Sequence, residues 1–79
     1  MATLPADEDY ARSVLTIFRG MRVRAKQSLK SSQVRAEFLS HNLGKPFDYD
    51  AAVEYAVAQG WITFQLGLIR LTEAGFAEM

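Results

Sequence analysis

The segment AVAQGWITFQLGLIRL, residues 56–71, restricts the folds open to this chain more than any other stretch of it. Gly60 follows an amphipathic run, at the position where a helix commonly ends in a residue of positive φ. An alternating apolar pattern then begins at Trp61, as in a strand with one buried face. The segment therefore predicts a helix followed directly by a strand.

A two-residue turn at Leu66 and Gly67 folds the alternating pattern into a β-hairpin. The apolar face of this hairpin then consists of Ile62, Phe64, Ile69 and Leu71. The predicted register pairs Gln65 with Leu68, Phe64 with Ile69, Thr63 with Arg70, and Ile62 with Leu71. Because a slip of one residue would turn the apolar set towards solvent, we expect this register rather than its neighbours.

The size and composition of the chain indicate one small domain, residues 1–79, with residues 1–5 as a disordered lead-in. Such a small domain needs a dense core, and a hydrophobic content of 49% supplies one. The absence of cysteine excludes disulfides and cysteine-ligated zinc. The chain has neither an apolar run of about 18 residues nor a hydrophobic leader, so we expect no membrane span, no secretory signal and a cytoplasmic location.

The formal net charge is zero, but the charges are segregated along the chain. Residues 1–18 are acidic on balance, and so are the residues from 48 onward. Residues 19–47 carry seven lysines and arginines against the single carboxylate of Glu37. A basic middle between acidic ends is therefore more informative than the neutral total charge.

Apolar spacing predicts a first helix that starts near residue 6 and stops at Gly20, with acidic residues 7–9 in its first turn. Its buried stripe consists of Tyr10, Val14, Ile17, Phe18 and Met21. Residues 21–26 alternate apolar and basic residues, which favours an extended segment. Leu29 then contributes a short strand that pairs with the hairpin.

Two further helices are predicted. Ser31 or Ser32 caps the second, which ends at residues 44–46, and Asp48 caps the third. The buried stripe of the second is Val34, Phe38, Leu39 and Leu43, and that of the third is Tyr49, Ala52, Val53 and Ala56, with Val57 at the edge. The outer face of the third is Asp50, Ala51, Glu54, Tyr55 and Ala58. Thr72 caps a final short turn.

The run QGWI at residues 59–62, followed by IRLTEAGF at residues 69–76, resembles the recognition-helix exit, wing and post-wing helix start of bacterial regulators of the MarR and PadR type. The resemblance covers most of the chain. It implies a small α+β winged helix-turn-helix fold, with three helices, a short strand and a C-terminal hairpin as the wing. It also implies a DNA-binding transcriptional regulator, because the third helix of that family usually lies in the major groove of DNA.

The positive charge of this chain lies before and on the second helix, which crosses the phosphate backbone in that family. We therefore expect duplex phosphates to be bound by this segment and base edges to be met by the third helix. For any single residue the alternative is an ordinary solvated charge. The predicted nucleic-acid-binding residues are Arg22, Arg24, Lys26, Lys30, Ser32, Arg35, Lys45, Ala51 and Tyr55.

The chain departs from the family pattern on the third helix and at the turn of the hairpin. The third helix presents Asp50 and Glu54 and no basic residue, although phosphates repel carboxylates. The turn presents Leu66 and Leu68, two exposed leucines that are unusual on a protein without a partner. The alternative function is therefore a winged-helix module that binds another protein through these four residues. A homodimer through the first helix or the hairpin edge stays open.

Enzymatic chemistry has little support in the sequence. His41 is the only histidine, so a histidine-rich metal site is excluded and a catalytic triad would depend on this one residue. Asp48 and Asp50 form no convincing pair of catalytic carboxylates, since one is expected to cap a helix and the other to be exposed. Trp61 is expected to be a structural residue. We expect no catalytic site, no metal and no cofactor.

Overall fold

The structure is a computed structural model and describes residues 7–79. The predicted lead-in, residues 1–5, and the predicted helix start near residue 6 lie outside the described residues. The described chain forms, in order, α1 (Asp7–Gly20), β1 (Ser28–Lys30), α2 (Ser31–Ser40), α3 (Pro46–Ala58), β2 (Ile62–Gln65), β3 (Leu68–Leu71) and α4 (Glu73–Glu78). The predicted α+β class is confirmed, but these residues form four helices instead of three, because the expected final turn is the helix α4.

The three strands form one antiparallel sheet in the order β1, β3, β2. Every pair of the predicted hairpin register is present. The short strand predicted around Leu29 is also present, and it places Leu29 opposite Ile69. Leu66 and Gly67 have φ values of 53° and 75°, and two positive φ values give a two-residue turn the twist that matches its flanking strands.

The core lies between the helices and the inner face of the sheet, with α1 packed against α3. Its largest fully buried side chains are Val14, Leu15, Phe18, Val34, Phe38, Ile62, Ile69 and Leu71. Phe64 was predicted to share this buried face but is 50% exposed. Its partner Ile69 lies on the central strand β3, which has a neighbouring strand on each side. Phe64 lies on the edge strand β2, which has a neighbouring strand on one side only.

The first three helices end in the same backbone motif. The N–H of the third residue after each helix bonds back to a carbonyl in its last turn: Val23 to Phe18 at 3.0 Å, Leu43 to Phe38 at 3.1 Å, and Trp61 to Ala56 at 2.9 Å. The residues of positive φ that precede these apolar residues are Arg22, Asn42 and Gly60. This is the Schellman arrangement, in which an apolar residue packs back onto the helix that it ends.

The predicted stop of the first helix at Gly20 is confirmed, but two predictions for the segments that follow α1 and α2 are wrong. Residues 21–26 were expected to be extended, but they form two turns with positive φ at Arg22 and Lys26. The second helix was expected to reach the glycine and proline that follow it. It ends at Ser40, since the positive φ of Asn42 reverses the chain there.

The first turn of α2 is not capped by a serine, contrary to the prediction for Ser31 or Ser32. Lys30 occupies the cap position, and its side chain makes no capping hydrogen bond. The Ser31 hydroxyl lies 3.0 Å from the hydroxyl of Tyr49, which donates to the Ser31 carbonyl oxygen at 3.2 Å. Ser31 therefore joins α2 to α3 instead of capping α2.

The prediction for the cap of α3 is wrong, and the prediction for the cap of α4 is confirmed. Asp48 is not the cap residue of α3, because the helix begins at Pro46. The Asp48 carboxylate instead accepts a hydrogen bond from the backbone N–H of Lys45 at 2.8 Å. Thr72 caps α4 as predicted, and its hydroxyl oxygen accepts from the N–H of Gly75 at 3.0 Å.

Candidate nucleic-acid interface and adjoining groove

Most of the predicted phosphate-binding side chains are exposed and free of ion pairs. Within residues 7–79, no carboxylate lies within ion-pairing distance of Arg22, Arg24, Lys30, Arg35 or Lys45. Their charges are therefore available to an external anion. Lys26 differs, because its Nζ lies 3.5 Å from a carboxylate oxygen of Glu73.

The structure divides the predicted basic segment into two groups at opposite ends of β1. At one end, the N–H of Lys26 donates to the carbonyl of Leu71 at 2.7 Å, close to the start of α4. At the other end, Lys30 pairs with Leu68, and the N–H of Ser31 donates to the Gly67 carbonyl at 2.9 Å. An extended chain rises about 3.3 Å per residue, so the Cα atoms of Lys26 and Lys30 lie at most roughly 13 Å apart. Arg22 and Arg24 belong to the Lys26 end.

The group at the Lys30 end surrounds the start of α2. Arg35 follows Ser31 by four residues and so lies on the same side of the helix, and Ser32 is exposed next to them. The N–H of Ser31 is bonded to the carbonyl of Gly67, but no side chain caps this helix, so the amides that follow Ser31 in the first turn lack a side-chain acceptor. The helix dipole adds positive potential at this end. The arrangement suits a phosphate group, which amides and cations can hold together.

The outer face of the sheet adds a cation that sequence reasoning missed. Strand pairing places Arg70 between Ser28 and Thr63, on the side away from the core. Arg70 is exposed, and its Nε donates to the carbonyl of Lys26 at 3.0 Å. The signal was present in the sequence, because the predicted hairpin register already put Arg70 on the solvent side opposite Thr63.

The third helix brings no positive charge to this surface beyond Lys45 at its start. Asp50 and Glu54 are exposed, as predicted, and Ala51 is half-buried. Tyr55, predicted to meet base edges, is half-buried, and its ring packs edge-on against the buried ring of Trp61 at 5.9 Å between centroids. Tyr55 therefore contributes to the packing of α3 on the core.

Trp61 has the structural role that the sequence predicted. It is 7% exposed and packs against Tyr55, and the guanidinium of Arg12 lies 5.0 Å from its ring centroid. Arg12 also pairs with Glu8 at 3.5 Å and with Glu78 at 3.3 Å. These contacts join α1, α3 and α4 around the indole.

An open groove of about 670 Å³ lies between α2, α3 and the hairpin. Its apolar lining comes from Tyr49, Val53, Val57, Ala58 and Phe64, and its charged lining comes from Arg35 on α2 and from Asp50 and Glu54 on α3. The edge-strand position that exposes Phe64 thus gives the groove its wall on the hairpin side. The sequence predicted the two carboxylates as partner-binding residues but missed the apolar lining.

Tyr49 closes the groove towards the core. Its ring packs edge-on against Phe38 at 5.6 Å between centroids, and its hydroxyl bonds to Ser31. Burial raises the pKa of Tyr49 above its ordinary value, an effect that the Ser31 hydrogen bond and Arg35 oppose and that Asp50 reinforces. Arg35 and Asp50 therefore both act on this one hydroxyl.

The four residues of the predicted protein-binding surface do not lie together. Asp50 and Glu54 line the groove, whereas Leu66 and Leu68 line a shallow depression with Ser28 on the outer face of the sheet. Leu66 is 93% exposed at the turn, and Leu68 is 44% exposed. A partner seated in the groove would therefore meet Phe64 rather than these two leucines.

Other chemistry is limited in the described part of the chain. His41 is exposed, and its Nε2 lies 3.0 Å from a carboxylate oxygen of Glu37 one turn earlier. Residues 7–79 contain no group of three or more histidine and acidic side chains that could hold a metal. No helix within that range has the length and apolar character to cross a membrane.

No protein-family model, no curated protein and no solved structure matches this chain. Function has to be inferred from the arrangement of its own residues.

Proposed function

We propose that this chain is a winged helix-turn-helix domain that binds duplex DNA as a small transcriptional regulator. The order of elements supports the proposal: three helices with a short strand after the first, then a hairpin that joins that strand in one sheet. Residues 41–45 join α2 to α3 by a short turn, as a helix-turn-helix requires. The hairpin of β2 and β3 is the wing in this proposal.

The observation that carries the proposal is the first turn of α2. The N–H of Ser31 donates to the carbonyl of Gly67, and the amides that follow it in this turn, which no side chain caps, lie beside the unpaired cations Lys30 and Arg35. In a helix-turn-helix this helix crosses the phosphate backbone, where amides and cations position the protein without reading its sequence. Arg70 extends the positive surface across the sheet.

The acidic face of α3 determines how the duplex would be bound. Asp50 and Glu54 repel phosphates, so a pose with α3 deep in the major groove is disfavoured. Backbone contacts from α2 and the sheet then dominate the binding free energy. We expect affinity that depends steeply on salt and only slightly on base sequence.

The test compares two matched variants for affinity to a mixed-sequence duplex over a range of salt concentrations. Lys30→Gln removes an unpaired cation from the proposed surface, and Arg19→Gln removes an exposed, unpaired cation from α1. Lys30→Gln should weaken binding and lower the magnitude of the salt slope by about 0.9, the value for one phosphate contact. Arg19→Gln should change neither. Equal effects of the two variants would contradict the proposed surface.

A second candidate function is protein binding, which the apolar groove favours. Val57 and Phe64 are 41% and 50% exposed there, and burying such side chains against a partner is favourable. The contact surface of this candidate is the groove with Asp50 and Glu54, and not the turn with its two leucines.

A further inference from the structure

We infer that the groove between α2, α3 and the hairpin is the contact surface for a second copy of this chain, arranged with twofold symmetry. The inference deepens the protein-binding candidate by naming its partner. The groove and the start of α2 share Ser31 and Arg35, so Arg35 contacts either the second copy or a phosphate, and duplex binding by the pair would rest on Lys30 and the other cations.

The exposed apolar residues of the groove, called here the apolar strip, favour association. Val53 and Val57 line the groove from α3, and Phe64 lines it from the edge strand β2. Phe64 is half-exposed although its strand partner Ile69 is fully buried. Covering this strip removes apolar surface from water, which is the main favourable term in protein association.

The charges of the groove favour a partner that carries both signs of charge. Arg35 lies on the α2 wall, and Asp50 and Glu54 lie on the α3 wall. Among residues 7–79 no ion pair involves Arg35, Asp50 or Glu54, so these three charges are open to a partner. A purely acidic partner would be repelled by the α3 wall, and a purely basic one would be repelled by Arg35.

A second copy satisfies both walls at once. In a twofold pair each contact occurs twice with the two residues exchanged between copies. Arg35 of one copy then meets Asp50 or Glu54 of the other, and the reciprocal pair forms on the opposite side of the axis. The apolar strips face each other between the two sets of charges.

The area of the interface determines how tightly the two copies are expected to associate. A standard stable interface buries about 800 Å² on each partner, roughly a seventh of the 5325 Å² surface of this chain. The groove is a small, open site, so we expect association at micromolar concentrations rather than a permanent dimer. The pair would also cover the acidic face of α3 and leave Lys30 and Arg70 exposed.

Sedimentation equilibrium over a range of protein concentrations tests the inference with a charge exchange. Arg35→Glu makes both reciprocal contacts repulsive, and so does the double variant Asp50→Arg with Glu54→Arg. Each should raise the dissociation constant at least about tenfold. An equimolar mixture of the two variants pairs Glu with Arg on both sides of the axis and should dimerise again. The triple variant that combines all three changes should dimerise with itself.

Arg19→Glu is the control, since Arg19 is an exposed and unpaired cation outside the groove. It should sediment as the parent does. Circular dichroism establishes that each variant is folded, and the mixture and the triple variant separate loss of pairing from loss of folding.

A parent that stays monomeric at its highest soluble concentration would overturn the inference and leave the groove to a different protein. The inference would also be overturned if Arg35→Glu or the double variant dimerised like the parent, or if their mixture stayed monomeric. Duplex binding by Lys30→Gln is measured separately, so failure of the dimer and failure of DNA binding are distinguishable.

Discussion

The contact between α4 and the start of β2 leaves no space for a side chain at residue 75. A Cβ atom on Gly75 would overlap the carbonyl oxygen of Trp61, and it would lie 2.8 Å from the Trp61 carbonyl carbon and 3.0 Å from Cδ1 of Leu71. Two of these three atoms belong to the backbone and cannot rotate away. The variant Gly75→Ala therefore has to displace α4.

The expected cost follows from two losses. Overpacking in a closed site costs about 1 to 3 kcal/mol. A displaced α4 also loses the bond from the Gly75 N–H to the Thr72 hydroxyl oxygen, and a helix cap contributes about 1 kcal/mol. The sum is roughly 3 kcal/mol, against a total stability of about 4 to 12 kcal/mol for a chain of this length. At about 4 to 8 °C per kcal/mol, Tm should fall by roughly 12 to 24 °C.

Thermal unfolding followed by circular dichroism measures this loss. Gly20→Ala is the matched control, because a Cβ atom there meets nothing within 4 Å and the residue is helical. Alanine favours a helix over glycine by roughly 0.5 to 1 kcal/mol, so the control should melt at or above the parent temperature. A Gly75→Ala variant that melts within about 2 °C of the parent, less than 1 kcal/mol, would refute the packing of α4 on Trp61.

Two further predictions concern aromatic residues. Trp61→Ala should cost about 3 to 5 kcal/mol in urea unfolding, whereas Phe64→Ala should cost less than half as much because Phe64 is 50% exposed; equal losses would contradict this difference. Tyr49→Phe removes the hydrogen bonds to Ser31 and should cost about 0.5 to 1.5 kcal/mol at neutral pH. Because burial raises the pKa of Tyr49 in the folded state, its contribution is fully present below the ordinary tyrosine pKa of about 10 and is lost as pH rises through the folded pKa. The parent should therefore lose stability in this alkaline range more steeply than Tyr49→Phe, and parallel pH curves would contradict that.

The hairpin was predictable from sequence because two independent signals agree on it. The period-two pattern fixes which residues face the core, and the turn at Leu66 and Gly67 fixes the register. The end of α3 at Gly60 was predictable for a similar reason, since glycine is the usual residue at positive φ.

The end of α1 at Gly20 agrees with the prediction, but the residue of positive φ that follows α1 is not a glycine, and neither is the one that follows α2. Arg22 and Asn42 occupy the positions of positive φ there, with no glycine to mark them. What the three helix ends share is an apolar residue just after that position, of which Val23 and Leu43 are examples. The buried contact of that residue offsets the cost of a non-glycine residue in the left-handed region.

The candidate site was predictable in its charges but not in its shape. The unpaired cations and the two carboxylates of α3 follow from composition along the chain. Their grouping depends on the length of β1, which separates Lys26 from Lys30, and on the edge position of Phe64, which opens the groove. Tyr55 also packs against Trp61, a contact that the spacing of apolar residues along α3 does not predict.

The salt dependence of duplex binding by the parent protein tests the central claim most directly. The measurement is the affinity for a mixed-sequence duplex between about 50 and 200 mM salt, plotted as log K against log salt concentration. Two to four phosphate contacts from Lys30, Arg35 and their neighbours predict a slope of roughly −2 to −4. A slope near zero, or no detectable binding at about 50 mM salt where phosphate contacts are strong, would contradict DNA binding through the first turn of α2.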